Sequence, residues 1–87
     1  MKLNNKIALV TGASSGIGAG IAQALGIAGA TVIVNYANSK AGADSVVAAI
    51  EAAGGTASAV QADMSKSEDV VRLFDTIKAD YGKLDVL

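Results

Sequence analysis

The sequence contains neither cysteine nor histidine. Without cysteine there is no disulfide and no thiolate chemistry, and the redox compartment is left undetermined. With both missing, zinc sites built from Cys and His are excluded, as is any triad using His as base, and no metal site is expected. Aromatic residues are scarce, only Tyr36, Tyr81 and Phe74. An excess of one charge is also lacking. The net charge of −1 and a pI near 5.0, with the basic residues scattered singly, leave no electrostatic footprint for nucleic acid or an anionic membrane. No apolar run approaches the roughly 20 residues that span a bilayer. The polar start, Met1-Lys2-Leu3-Asn4-Asn5-Lys6, runs directly into a strand and does not read as a signal peptide. A cytoplasmic location is the default expectation.

What is present is Ala, Val, Ile and Leu. Apolar residues make up 52% of the 87, enough for a globular chain. Ile7-Ala8-Leu9-Val10 is a four-residue apolar run ending in a Gly-rich turn, which reads as a buried strand. From Ile17 the apolar residues Ile17, Ile21, Leu25 and Ala28 recur at helical spacing, with Gly29 placed to end the helix. Gly26 within it costs about 1 kcal/mol relative to Ala, so close packing is expected there. Thr31-Val32-Ile33-Val34 is a second strand, and Asn35 to Ser39 reads as a polar loop. A second helix carries Ala43, Val46, Val47 and Ile50 on one stripe and ends at Gly54-Gly55. Thr56 to Gln61 is a third, weaker strand. Ser65-Lys66-Ser67-Glu68 has the form of a capping box. It opens a helix with Val70, Phe74, Ile77 and Tyr81 on one face, a Glu68–Arg72 surface pair, and Gly82 at its end. Leu84-Asp85-Val86-Leu87 begins a fourth strand.

The βαβαβαβ order predicts an α/β fold, a Rossmann-type doubly wound parallel sheet in three α/β/α layers. In the strand order 3-2-1-4, the first two helices cover one face of the sheet and the third lies on the other.

The chemistry is placed in Thr11-Gly12-Ala13-Ser14-Ser15-Gly16-Ile17-Gly18, between the first strand and first helix. Gly12 supplies the positive φ of a tight turn. Gly16 admits a phosphate closer to the backbone than a Cβ allows, and Gly18 lets the helix lie close to the strand. The helix N-terminus offers free N–H groups and partial positive charge to a pyrophosphate, and Ser14 and Ser15 add hydroxyl donors. The glycine spacing differs from G-x-G-x-x-G, and no Gly-Lys-Ser/Thr follows to make a P-loop.

Thr11-Gly12-x-x-x-Gly16-x-Gly18 resembles the cofactor signature of the short-chain dehydrogenases/reductases. Asp63, in Ala62-Asp63-Met64, matches that family's acidic residue on the adenine side of the pocket, where the alternative role is a helix-capping Asp near Ser65. Lys83-Leu84-Asp85-Val86-Leu87 matches the approach to the family's fourth strand, so the resemblance covers the whole chain. It implies an intact NAD(P)-dependent oxidoreductase transferring hydride between the nicotinamide and an alcohol or carbonyl, such as a 3-oxoacyl group or a sugar. In the family, Tyr acts as general acid/base with Lys, and Ser orients the substrate oxygen. These residues lie beyond the fourth strand, so residues 1–87 are expected to be the N-terminal dinucleotide-binding portion of one Rossmann domain, a fragment truncated before the catalytic segment, with no catalytic residue and no activity alone. Tyr36 with Lys40 has the Tyr-x-x-x-Lys offset but lies in the loop facing the adenosine ribose, so that match is read as coincidence. The intact protein is expected to be a homo-oligomer, a tetramer by resemblance.

A carboxylate at the end of the second strand would bond a ribose 2′-hydroxyl and repel a 2′-phosphate. Tyr36 stands there instead, beside Ala37, Asn38 and Ser39. Asn38, Ser39 and Lys40 can cradle a phosphate, and Val34-Asn35-Tyr36-Ala37 resembles NADPH-using members of the family. NADP(H) is favoured, with NAD(H) left open. The expected cofactor-binding set is Gly12, Ser14, Ser15, Gly16, Ile17, Gly18, Tyr36, Ala37, Asn38, Ser39, Asp63 and Met64. Two alternatives stay open: a nucleotide-binding unit without catalysis, and an S-adenosylmethionine-dependent methyltransferase, against which the lack of an acid at Tyr36 counts.

Overall fold

The computed structural model describes residues 3–85. Strand β1, Ile7–Val10, is buried along its whole length, as a strand covered on both faces should be. Strand β2, Thr31–Tyr36, pairs with β1 in parallel from Ile7↔Thr31 to Val10↔Val34. Strand β3, Thr56–Gln61, pairs with β2 in parallel from Thr31↔Thr56 to Tyr36↔Gln61. Helices α1 (Gly16–Ile27), α2 (Lys40–Ala52) and α3 (Ser67–Tyr81) alternate with them. The spatial order β1-β2-β3 and the helical connections make this the expected Rossmann-type α/β fold.

Successive strand side chains point to opposite faces, and this divides the core in two. Ala8, Val10, Val32 and Val34 pack with Ala22 of α1 and with Ala43, Val46 and Ile50 of α2. Ile7, Leu9 and Ile33 pack with Leu73 and Ile77 of α3. The first two helices thus share one face and the third takes the other, as the strand order requires. Of the expected fourth strand, Val86 and Leu87 lie outside the described residues. Asp85 lies beside β1, where its N–H donates to Ile7 O at 2.9 Å and its Oδ2 accepts from Ile7 N at 2.9 Å.

Several local expectations are corrected. Helix α1 does not bury Ile17 and Ile21, which are 85% and 49% exposed; Ala22 and Gly26 are buried instead. Close approach selects small residues: a Cβ on Gly26 would lie 2.6 Å from Ile50 Cγ2. Residues 35 and 36 are not loop, because β2 runs on through buried Asn35 to Tyr36. Its side-chain Nδ2 donates to Val60 O and Ala62 O at 3.3 and 3.2 Å, which makes burial of the amide tolerable. Helix α3 buries Leu73 and Ile77, while Phe74 is 36% exposed. The capping box does not form. Lys66 is the N-cap, without a side-chain cap bond, and Ser65 is drawn to Asp63, whose Oδ1 accepts from both Ser65 N and Oγ. Arg72 pairs with Asp69 at 3.7 Å rather than with Glu68.

Candidate functional site

Parallel strands end on one edge, and the turns leaving β1, β2 and β3 meet there. Gly12 and Gly16 adopt φ of +61° and +62°, a conformation that L side chains rarely enter. A Cβ on Gly16 would meet nothing within 4 Å, so the space above this residue is open. At Gly18 the reverse holds. A Cβ there would lie 2.5 Å from Gly12 O and 3.2 Å from Ala13 Cα, so glycine lets α1 press on the turn itself.

The end of α1 is electrostatically prepared for an anion. Ser15 caps the helix without spending its hydroxyl, and the first turn carries no acidic residue. Ala19 N–H closes onto Ser15 O, which leaves the amides of Gly16, Ile17 and Gly18 without helical acceptors. A pyrophosphate fits this donor set: amides, a hydroxyl and a partial positive charge, with no carboxylate opposing it.

The turn is tied to the next strand and helix. Ala13 N donates to Asn35 O at 3.0 Å. Ser39 caps α2 by accepting from Gly42 N at 3.2 Å. Gly42 lies so near the turn that a Cβ would stand 2.5 Å from Ser14 O. After β2, partly buried Tyr36 leads into exposed Ala37, Asn38 and Ser39. Lys40 Nζ donates to Asp44 Oδ2 at 2.8 Å, and that bond, followed by the carboxylate's charge, raises the lysine pKa. After β3, Asp63 N donates to Asp69 Oδ2 at 2.8 Å. The Ser65 hydroxyl, then the Ser65 amide, lowers the Asp63 pKa. Met64 is exposed beside it.

All twelve sequence-selected residues therefore lie at one sheet edge, on the three turns or on the strand and helix ends that adjoin them. Sequence reasoning missed Asn35, Gly42, Gln61 and Asp69, which hold those turns. Only Gly42 left a signal, a glycine in a first helical turn where better helix formers are usual. Among the described residues no group of three or more Asp and Glu could hold a metal ion, and no helix is long and apolar enough to cross a membrane.

A parallel α/β sheet whose Gly-rich first turn opens a helix defines the class as Rossmann-type. The chain belongs to the short chain dehydrogenase family, whose family model matches residues 6–87. It is 59% identical over 86 residues to an uncharacterised oxidoreductase of Methylorubrum extorquens, covering 99% of this chain and 35% of that protein. A tetrahydroxynaphthalene reductase of Pyricularia oryzae is 49% identical over 85 residues, covering 98% of this chain and 30% of its own length. Among solved structures, a metagenomic short-chain oxidoreductase in complex with NADP superposes with a TM-score of 0.95 at 39% identity, over 100% of this chain and 39% of that one. The chain spans about a third of the length of the curated relatives it matches.

Proposed function

We propose that residues 1–87 form the dinucleotide-binding portion of an NADP(H)-dependent oxidoreductase, whose whole length transfers hydride between the nicotinamide and an alcohol or carbonyl of a small molecule. The open space above Gly16, at a helix end with free amides and no acidic residue, carries this reading. Gly12, Ser14, Ser15, Gly16, Ile17 and Gly18 would hold the pyrophosphate and neighbouring ribose. Asp63 and Met64 would border the adenine. Tyr36, Ala37, Asn38 and Ser39 would receive the ribose 2′ substituent. When bound, the cofactor supplies the hydride acceptor or donor. This chain's residues bind and orient it, and none of them acts on the substrate. Catalysis, and a homo-oligomeric assembly, belong to the whole protein in this proposal.

Preference for the 2′-phosphate is supported by the absence of a carboxylate at Tyr36 and by Lys40, the first residue of α2 directly after the loop. The Lys40–Asp44 pair is exposed on both sides, and such pairs contribute little, so a phosphate can compete for the ammonium. The NADP-bound structural neighbour agrees with this choice. Fluorescence titration of the full-length protein with NADPH and NADH tests the reading. NADPH should bind at least tenfold more tightly, and Lys40→Met should narrow that gap without changing NADH binding. Binding of neither cofactor would overturn the proposal, and tighter NADH binding would overturn the phosphate preference.

A further inference from the structure

The backbone ladder between β2 and β3 ends at Tyr36↔Gln61, and Ala62 N adds a last bond to Tyr36 O at 2.9 Å. Ala37 is the first residue of the loop beyond it. Its carbonyl is still held, because Gln61 Nε2 donates to Ala37 O at 3.0 Å. A side chain thus supplies a rung where the main chain has turned away. A carboxamide can present either end, but a guanidinium only donates. Arg72 NH2 donates to Gln61 Oε1 at 3.2 Å, which directs the oxygen to Arg72 and the nitrogen to Ala37. Arg72 is itself placed by Asp69, 3.7 Å away. The same Asp69 oxygen accepts from Asp63 N at 2.8 Å. One string of polar contacts therefore joins the loop at 37–39 to Asp63.

We propose that Gln61 and Arg72 are positioning residues for the adenosine end of the cofactor, with Gln61 fixing the 37–39 loop and Arg72 fixing Gln61. The proposal rests on the cofactor reading above. These groups need not touch the ligand. They set the separation between the turn that receives the 2′ substituent and the turn that borders the adenine. Arg72 acts through Gln61, so the two should not contribute independently. A solvated surface cluster of the same residues would affect neither ligand binding nor each other.

The test is calorimetric titration of the full-length protein with 2′,5′-ADP, a probe carrying only the adenosine end. Loss of one neutral hydrogen bond predicts a roughly fivefold weaker dissociation constant for Gln61→Met. Arg72→Met should weaken binding about two- to threefold, and Arg72→Lys, which keeps a donor, should recover most of that. The double variant should bind no worse than Gln61→Met alone, the mark of a shared path. Thermal midpoints without ligand should move by no more than about 2 °C, which separates positioning from loss of fold. If wild type binds 2′,5′-ADP and Gln61→Met binds it equally well, the positioning role is overturned and the cofactor reading stands. If the two single losses multiply in the double variant, the link through Gln61 is overturned. If wild type does not bind the probe, the 2′-phosphate preference falls and this inference with it.

Discussion

The two faces of the sheet are built on different principles. The face under α1 and α2 sets Val10, Val32 and Val34 against Val46 and Ile50, and adds glycines where the two helices and the first turn approach one another. Gly26 meets Ile50, Gly18 meets the Gly12 carbonyl, and Gly42 meets Ser14. The face under α3 is a conventional apolar seam in which Leu73 and Ile77 fill the space over Ile7, Leu9 and Ile33. The contrast follows what each face carries. A helix whose end must present amides at the carboxyl edge has to sit close to the turn and to its neighbouring helix, so bulk is excluded at those contacts. A helix with no such duty can be held off by full-sized side chains.

The largest effect should come from the seam. Leu73 is fully buried, and Leu73→Ala should cost about 3 kcal/mol through lost burial and an unfilled cavity. Phe74→Ala, one residue away and 36% exposed, should cost less than about 1 kcal/mol. Urea unfolding of both variants checks this. Equal costs would mean that α3 is rotated from the position described.

The small-residue face should respond to added volume. Gly18→Ala drives a Cβ against a backbone oxygen that has no rotamer to yield, so a loss near 2 kcal/mol is expected, with NADPH binding weakened as the turn is displaced. At Gly26 the neighbour is Ile50, a side chain that can yield. Gly26→Ala also gains about 1 kcal/mol of helix propensity, so a net loss near 1 kcal/mol is expected, with cofactor binding unchanged. Combining it with Ile50→Val should return part of the loss. A stabilising Gly26→Ala would show that Ile50 yields freely and that packing does not require glycine there.

This contrast also explains which parts were legible in the sequence. Strand and helix order followed from short branched runs between glycines, and the turn announced itself through Gly12, Gly16 and Gly18. The helix faces were harder to read. A search for large apolar residues at helical spacing selects Ile17 and Ile21, whereas close packing selects Ala22 and Gly26, which carry almost no hydrophobic signal. In α3 the spacing Val70, Phe74, Ile77, Tyr81 selects Phe74, whereas the buried pair is Leu73 and Ile77, an equally regular spacing on the neighbouring stripe. The capping box failed because Ser65 had a nearer partner in Asp63, a competition that spacing alone does not register. Asn35 was unreadable as core because its burial depends on two carbonyls from β3, contacts known only once the strands are paired.

The smallest predicted effect lies along the side of β1 away from β2. Asp85 accepts from Ile7 N and lies 3.1 Å from Lys83 Nζ. The Ile7 amide, then Lys83, lowers its pKa. A carboxylate whose pKa is lower folded than unfolded stabilises the fold fully above its unfolded value, near 3.9, and loses that contribution as pH falls through the folded value. Asp85→Asn should therefore lower the urea midpoint at pH 7 slightly, and the difference from wild type should shrink as pH falls below the unfolded value and vanish once the folded carboxyl is protonated. The same substitution should leave the Gly26→Ala cost unchanged, since the Ile50 side chain met there is not a partner of Asp85. A pH-independent difference would mean that Asp85 acts through shape or hydrogen-bond count alone. The bond from its own amide to Ile7 O would then be what closes this side of the sheet.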